Sequence, residues 1–171
     1  MSDATMAEIA KTRRNWAKDH LAVYLQSGGA RGHIVDVSDI GGHKFTTTLL
    51  LQLVGSKSGQ TRTNALIYGV IDGEVVIVAS KGGADHHPAW YLNLKASQEI
   101  RFQVATQAYR GRWREPQGAE RTRVWEFMVG MFPPYRKYQA STERQIPLVM
   151  LAATEPIDVF SKEAIESSRA G

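Results

Sequence analysis

The spacing of apolar residues changes several times along this chain, and each change marks an element. Trp16, His20 and Tyr24 recur every fourth residue within 5–26, which predicts a helix with Ser2 or Thr5 as cap and Ser27-Gly28-Gly29 as its stop. Residues 30–44 are glycine-rich and read as loop, with a short strand at His33–Val37. From Phe45 the pattern turns to β. FTTTLLLQLV (Phe45–Val54) reads as a buried strand, Gly55–Gln60 as a turn, and Arg62–Ile71 as a second strand. Asp72-Gly73 is a hairpin signal leading into Glu74–Ala79, which Ser80-Lys81-Gly82-Gly83 ends. Pro88 suits the first turn of a helix over His87–Ala96. Strands follow at Ile100–Thr106 and Ala108–Glu115. Val124, Phe127, Met128 and Met131 set a helix over Gln117–Met131, which Pro133-Pro134 breaks before a shorter one at Tyr135–Ala140. Ile146–Ala152 reads as the last strand and 155–171 as a polar tail.

Six or seven antiparallel strands with a few helices define a mainly β (α+β) protein, a small barrel or sandwich with helical decoration. Strands do not alternate with helices and no G-x-G-x-x-G occurs, which argues against a dinucleotide-binding Rossmann site. With 171 residues, 43% hydrophobic and 22% charged, the chain suits a single soluble domain. Within it, 1–29 form the N-terminal helix, 45–153 the barrel core and 154–171 a tail. The absence of cysteine excludes disulfides, thiol catalysis, thiolate zinc sites and iron–sulfur clusters. No apolar run approaches the ~20 residues a membrane-spanning helix needs, and the N-terminus lacks the order of a signal peptide. The expected location is therefore cytoplasmic. Residues 101–144 hold nine Lys/Arg against four Glu, a surplus that suits an anionic partner or, equally, a solvated basic face.

Four segments carry candidate chemistry. In GSKSGQTR (Gly55–Arg62), turn amides, Lys57 and Arg62 make either an anion cradle or a basic hairpin tip. In SKGG (Ser80–Gly83), glycines admit close approach of a ligand or simply relax a loop. HPAWYLNL (His87–Leu94) places Trp90 and Leu94 four apart, as a core-packing helix would. The adjacent Asp85-His86-His87 lacks the spacing of metal ligands, so no metal is expected. MFPPYRKYQ (Met131–Gln139) puts Tyr135 and Tyr138 after a proline break, either to cover a planar ligand or to pack on the barrel. Neither a Ser-His-Asp order nor paired carboxylates compete with these.

In their order and spacing, GSKSGQTR, VASKGG, PAWYLNL, FPPYRKYQ and RQIP together resemble the deazaflavin-dependent nitroreductase family of actinobacteria, over Thr46–Leu151. The resemblance implies a split β-barrel and coenzyme F420, a deazaflavin with a phosphate, a lactyl group and a polyglutamate tail, which would also account for the basic surplus. By position it implies that Lys57, Ser58, Gly59 and Arg62 hold the phosphate and tail. It implies that Ser80, Lys81 and Gly82 line the phosphate and ring side of the groove, and that Trp90 and Asn93 flank the ring. Tyr135, Tyr138 and Phe132 would border the substrate pocket. The implied reaction is hydride transfer from reduced F420 to an electron-poor small-molecule acceptor: an activated alkene, a quinone or a nitro compound. Tyr135 and Ser80 would polarise the acceptor oxygen, with Tyr135 or solvent delivering the proton.

Three positions depart from the family pattern: Ser56 replaces a common Arg, Ala65 a common Pro, and Phe132 a third Tyr. Competing readings are an FMN-dependent split-barrel reductase and a non-enzymatic deazaflavin carrier. A nucleic-acid binder is a more distant one, since aromatics do not interleave with the basic stretch. Lys11, Arg13, Arg14 and Lys18 beside Trp16 would permit weak peripheral membrane contact, but Asp3, Glu8 and Asp19 offset them and favour packing of the helix on the barrel. Oligomeric state is not legible.

Overall fold

A computed structural model describes residues 3–55, 57–97 and 99–161, with side chains from residue 15 onward. Ser2, Ser56 and residues 162–171 lie outside the described residues, as do the side chains of Thr5, Lys11, Arg13 and Arg14. The chain runs α1 (Asp3–Gln26), β1 (Ile34–Val35), β2 (Thr46–Val54), β3 (Thr61–Ile71), β4 (Glu74–Val78), α2 (Ala89–Lys95), β5 (Glu99–Val104), β6 (Gln107–Arg114), α3 (Gly118–Met131), α4 (Pro134–Ala140) and β7 (Leu148–Ile157). The strands pair antiparallel in the order β1-β2-β3-β4-β7-β6-β5, and β2 also pairs with β5. That second pairing closes six strands into a barrel, with β1 as a short flap on β2. This is the split-barrel class expected from the sequence.

Local chemistry explains most of the elements. Asp72 and Gly73 take φ of 51° and 80°, the left-handed pair that a two-residue hairpin requires. Pro88 stands just before α2 with an extended ψ of 150° and passes its carbonyl to Tyr91 N–H. On α3, Val124 and Met128 are buried, whereas Phe127 is exposed. The barrel interior is filled by Leu49, Leu51, Ile77, Phe102 and Val149, with Trp90, Tyr91 and Leu94 of α2 plugging one side. A second cluster, built on Val76, Val78, Met128, Phe132, Tyr135 and Ile146, joins α3 and α4 to the outer wall. Three buried groups of leucine- or valine-sized side chains account for the stability of such a fold, at about 1.5–3 kcal/mol per fully buried side chain.

The N-terminal helix packs on the barrel. Trp16 stacks on His20 (5.2 Å, 16°) and His20 meets Tyr24 edge-on (6.0 Å). Tyr24 is fully buried; its hydroxyl donates to Thr48 O (2.9 Å) and accepts from Ala105 N–H (2.9 Å). The last strand differs from expectation. β7 starts at Leu148 and runs to Ile157, so 154–157 belong to the barrel and not to a tail. Its polar residues face outward from the sheet, which made them read as irregular. A register shift between Arg110 and Gly111 lets β6 keep pairing with it. Glycine is needed there: a Cβ on Gly111 would stand 2.5 Å from Ala152 O. Phe160, beyond the strand, is buried with Tyr24 and Leu50.

Candidate active site

A cavity of about 720 Å³ opens beside β3 and β4. Five parts of the fold build it. β3 contributes Ala65, Leu66 and Ile67, the end of β4 contributes Val78, and the loop after it contributes Ser80 and Gly82. Helix α4 and the turn before it bring Phe132, Tyr135 and Tyr138, while the loop after β1 brings Val37 to Ile40. Trp16 and His20 of α1 close the remaining side. Its volume lies within the ~300–1,000 Å³ of typical ligand pockets.

Several sequence-derived candidates meet there. Ser80, Gly82, Phe132, Tyr135 and Tyr138 all line the cavity. Tyr135 is buried, packed edge-on against Phe132 (4.9 Å) and Tyr138 (6.4 Å). Burial drives its phenol well above the ordinary tyrosine pKa, so it is a neutral O–H donor at physiological pH. Among the described residues no protein group accepts from that hydroxyl.

The loop after β4 has an uncommon backbone. Lys81, Gly82 and Gly83 have φ of 46°, 62° and 84°, three consecutive left-handed residues. Gly82 meets nothing within 4 Å where a Cβ would stand, so a ligand has open access to its backbone. Lys81 points outward, its Nζ 2.7 Å from His86 Nε2. His86 Nδ1 lies 2.9 Å from Asp85 Oδ1, whereas His87 turns to Arg144, so this acid–histidine run diverges. Among the described residues no group of three His, Asp or Glu is placed to hold a metal ion.

The hairpin joining β2 and β3 carries the second basic group. Ser58 Oγ accepts from Gln60 N–H (3.2 Å) and Arg62 Nη2 (3.3 Å). Gly55 makes this possible, because a Cβ there would stand 2.7 Å from Ser58 Oγ. Lys57, Ser58 and Gly59 are exposed and Gly59 meets nothing within 4 Å. None of these, nor Arg62, lines the cavity. Antiparallel pairing of β3 with β4 nevertheless sends the Ser80–Gly83 loop back toward the hairpin end of β3. Arg62, at the start of β3, and the cavity residues Ala65–Ile67 therefore lie along one strand.

Trp90 and Asn93 do not line the cavity. Trp90 faces the barrel interior, 7% exposed, against Tyr91 and Leu94. The helix turns its apolar stripe inward, and the stripe takes Trp90 with it. The basic surplus of 101–144 is also spent differently from expectation. Arg110 pairs with Glu99 and Glu155, Arg114 with Glu74 and Glu120, Arg123 with Asp72, and Arg136 with Glu126. Four of the nine cations of that stretch are thus paired with carboxylates of the protein itself. Sequence reasoning missed Trp16 and His20 as cavity residues, although their spacing had marked a helix face. It also missed Asp36 and Asp39, since isolated loop carboxylates carry no pattern. Ser38 donates to Asp36 Oδ1 through N–H (3.0 Å) and Oγ (2.6 Å), which holds that carboxyl below its usual pKa.

A closed six-stranded antiparallel barrel with a glycine-rich basic loop and a cavity edged by tyrosines is the architecture of split-barrel oxidoreductases. The F420H(2)-dependent quinone reductase family matches residues 16–153, and this chain belongs to it. An F420H(2)-dependent quinone reductase of Mycobacterium tuberculosis is 32% identical over 135 residues, covering 77% of this chain and 86% of that relative. A solved F420-H2 dependent reductase is similar at 36% identity and a TM-score of 0.57, over 61% of this chain and 93% of that one. A further structure, described as a domain-swapped dimer, shows 31% identity and a TM-score of 0.59 over 82% and 99%.

Proposed function

We propose that this chain reduces a neutral quinone with reduced coenzyme F420, and that the cavity between α1, α4 and the Ser80–Gly82 loop is where the acceptor lies. The family establishes an F420H2-dependent oxidoreductase; the acceptor class and the residue roles are this proposal. One observation carries it. Among the described residues that line it, the cavity has no Lys or Arg, two carboxylates (Asp36 and Asp39), apolar walls, and hydroxyls at Ser80, Tyr135 and Tyr138. Such a lining disfavours an anionic acceptor and suits a flat, uncharged molecule whose carbonyl oxygens need hydrogen-bond donors.

The residues fit the cofactor in kind. Its anionic tail has Lys57, Arg62 and Lys81 available outside the cavity, and the open backbone at Gly59 and Gly82 admits close approach. Trp90 is not needed for this fit, and Asn93 is assigned no contact. When bound, F420H2 supplies a hydride as an electron pair.

The chain's own part is to orient, exclude water and stabilise charge. Tyr135 donates from its phenol to the acceptor oxygen that gains negative charge, and Ser80 supplies a second donor. Because burial raises the Tyr135 pKa, the phenol keeps its proton and polarises the oxygen, leaving solvent to protonate the reduced acceptor. Phe132 and Ile40 form an apolar wall for the ring. A cytoplasmic enzyme is the accompanying reading; none of the described helices is long and apolar enough to cross a membrane.

The test compares menadione with a sulfonated naphthoquinone of matched potential. Wild type should prefer the uncharged acceptor by about 10-fold or more in kcat/KM, and Asp36→Asn with Asp39→Asn should shrink that preference. Equal rates for both acceptors in wild type would sink the acceptor assignment. A flavin spectrum on the purified protein would redirect the reading to FMN. F420H2 binding without reduction of any acceptor would redirect it to a carrier.

A further inference from the structure

Arg144 lies on the connector between α4 and β7 and reaches back beneath the loop that follows β4. Its Nε donates to Ala84 O (2.7 Å) and its Nη2 to Ser80 O (2.7 Å). Its Nη1 donates to Ala79 O (3.2 Å) and to His87 Nδ1 (3.0 Å). A half-buried guanidinium usually meets a carboxylate; here all four bonds go to neutral acceptors, three of them main-chain carbonyls bracketing residues 80–84.

That loop needs holding. Lys81 carries a Cβ at φ 46°, a conformation that persists only where its surroundings over-determine it. The connector is rigid enough to do so. Gln139 Nε2 donates to Arg144 O (2.7 Å), and Gln139 Oε1 accepts from Ile146 N–H (2.9 Å). Ser141 adds a latch, its Oγ donating to Gly83 O (3.1 Å). Only glycine fits beneath that latch, because a Cβ on Gly83 would stand 2.2 Å from Ser141 Oγ. The same segment thus ties α4, which carries Tyr135 and Tyr138, to the loop that carries Ser80.

We propose that Arg144 is a positioning residue for hydride transfer: by clamping the carbonyls of Ala79, Ser80 and Ala84 it fixes the left-handed loop that presents Ser80 to the cavity opposite Tyr135. Arg144 does not line the cavity and touches no reacting atom. The inference rests on the cavity being the reaction site. A lysine ammonium is one point charge and cannot bridge carbonyls on both sides of the loop, so Arg144→Lys is not conservative here. His87 makes its contact only with Nδ1 unprotonated. Arg144 from the connector, Lys95 and Tyr91 from α2, Glu115 just after β6 and Arg121 from α3 surround it, with Asp85, His86 and Lys81 on its own loop. Burial first, then Arg144 and Lys95, lower its pKa against the opposing pull of Glu115, so the ring is neutral at pH 7.

The experiment is steady-state turnover of the full chain with F420H2 and menadione, scaled to the fraction of molecules that binds F420H2. Arg144→Lys and Arg144→Gln should lose about 10–100-fold in kcat with KM for menadione held within about threefold. Millimolar guanidinium chloride should restore part of the rate to Arg144→Ala, but none to Ser80→Ala. Folded Arg144 variants with kcat within about twofold of wild type, or without guanidinium rescue, would overturn the proposal. If filling the cavity with Ile67→Trp also leaves turnover intact, the cavity reading itself has failed; if that variant is dead while Arg144→Gln is active, only the role of Arg144 has. Should the Arg144 variants not fold, His87→Gln decides. Wild type should lose kcat as pH falls below the ordinary histidine value of about 6.5 and the imidazole protonates, and the glutamine variant should not. Parallel losses in both would overturn the proposal.

Discussion

Helices α2 and α4 invite comparison, because each is seven residues long and each carries a pair of aromatics. In α2, Trp90 and Tyr91 enter a filled interior, and the polar tip of Tyr91 is satisfied by Glu115 Oε1 at 2.5 Å. In α4, Tyr135 is just as buried, yet it borders a cavity and its hydroxyl has no protein acceptor among the described residues. The two helices share length and aromatic content, although α2 sets a Trp beside a Tyr and α4 sets two Tyr three residues apart. What separates a structural aromatic from a functional one is whether the group opposite is packed atoms or open space.

The largest effect expected on this contrast is thermodynamic. Trp90→Ala should cost about 3–5 kcal/mol in unfolding free energy, by loss of transfer energy and creation of a cavity. Denaturant titration measures it, and the folded fraction should retain its F420H2 affinity. A selective loss of affinity would return Trp90 to the cofactor and break the comparison. Tyr135→Phe should show the opposite signature, with kcat falling about 10–100-fold while the denaturation midpoint barely moves. Unchanged turnover would remove Tyr135 from the chemistry.

Alkaline titration sharpens the contrast further. Burial raises the Tyr24 pKa to about 12 and also raises that of Tyr135. A tyrosine with a folded pKa above the ordinary value of about 10 holds its proton more tightly when native. The stability it contributes is therefore complete below that pH and lost as pH rises through the folded value. Absorbance near the phenolate band should accordingly show these tyrosines ionising only with unfolding. A smaller effect concerns fluorescence. Trp16 lines the cavity and Trp90 does not, so F420 binding should quench emission in wild type and much less in Trp16→Phe. Full quenching in that variant would place the ligand elsewhere.

How legible the molecule was depends on the range of the interactions involved. Asp72-Gly73 announced its hairpin because a two-residue turn is decided by its own backbone angles. The strands of the barrel were readable from β-branched and apolar runs. The extension of β7 past Ala153 was not, because outward-facing polar residues look like loop until a partner strand is known. Ser80, Gly82, Tyr135, Tyr138 and Phe132, singled out by the family resemblance, line one cavity. Trp90 diverges because its motif is also a core-packing stripe, and the direction of that stripe is set by the barrel it meets. Asp36 and Trp16 are separated in sequence from the cavity residues they join, and no local pattern encodes that distance; Arg144 stood in the RQIP block, which did not say what it would hold.

The buried amide of Gln103 carries one more consequence. Its Oε1 accepts from Phe160 N–H (2.8 Å), its Nε2 donates to Ala105 O (3.0 Å), and Ala105 N–H reaches the Tyr24 hydroxyl. Gly29 leaves no room for a side chain beside the same carbonyl, since a Cβ would stand 1.7 Å from Ala105 O. The end of the first helix and the segment after the last strand thus converge on one turn. Amide hydrogens at these two places, far apart in sequence, should exchange with solvent in a single opening event: the chain has two ends but, at this corner, one seam.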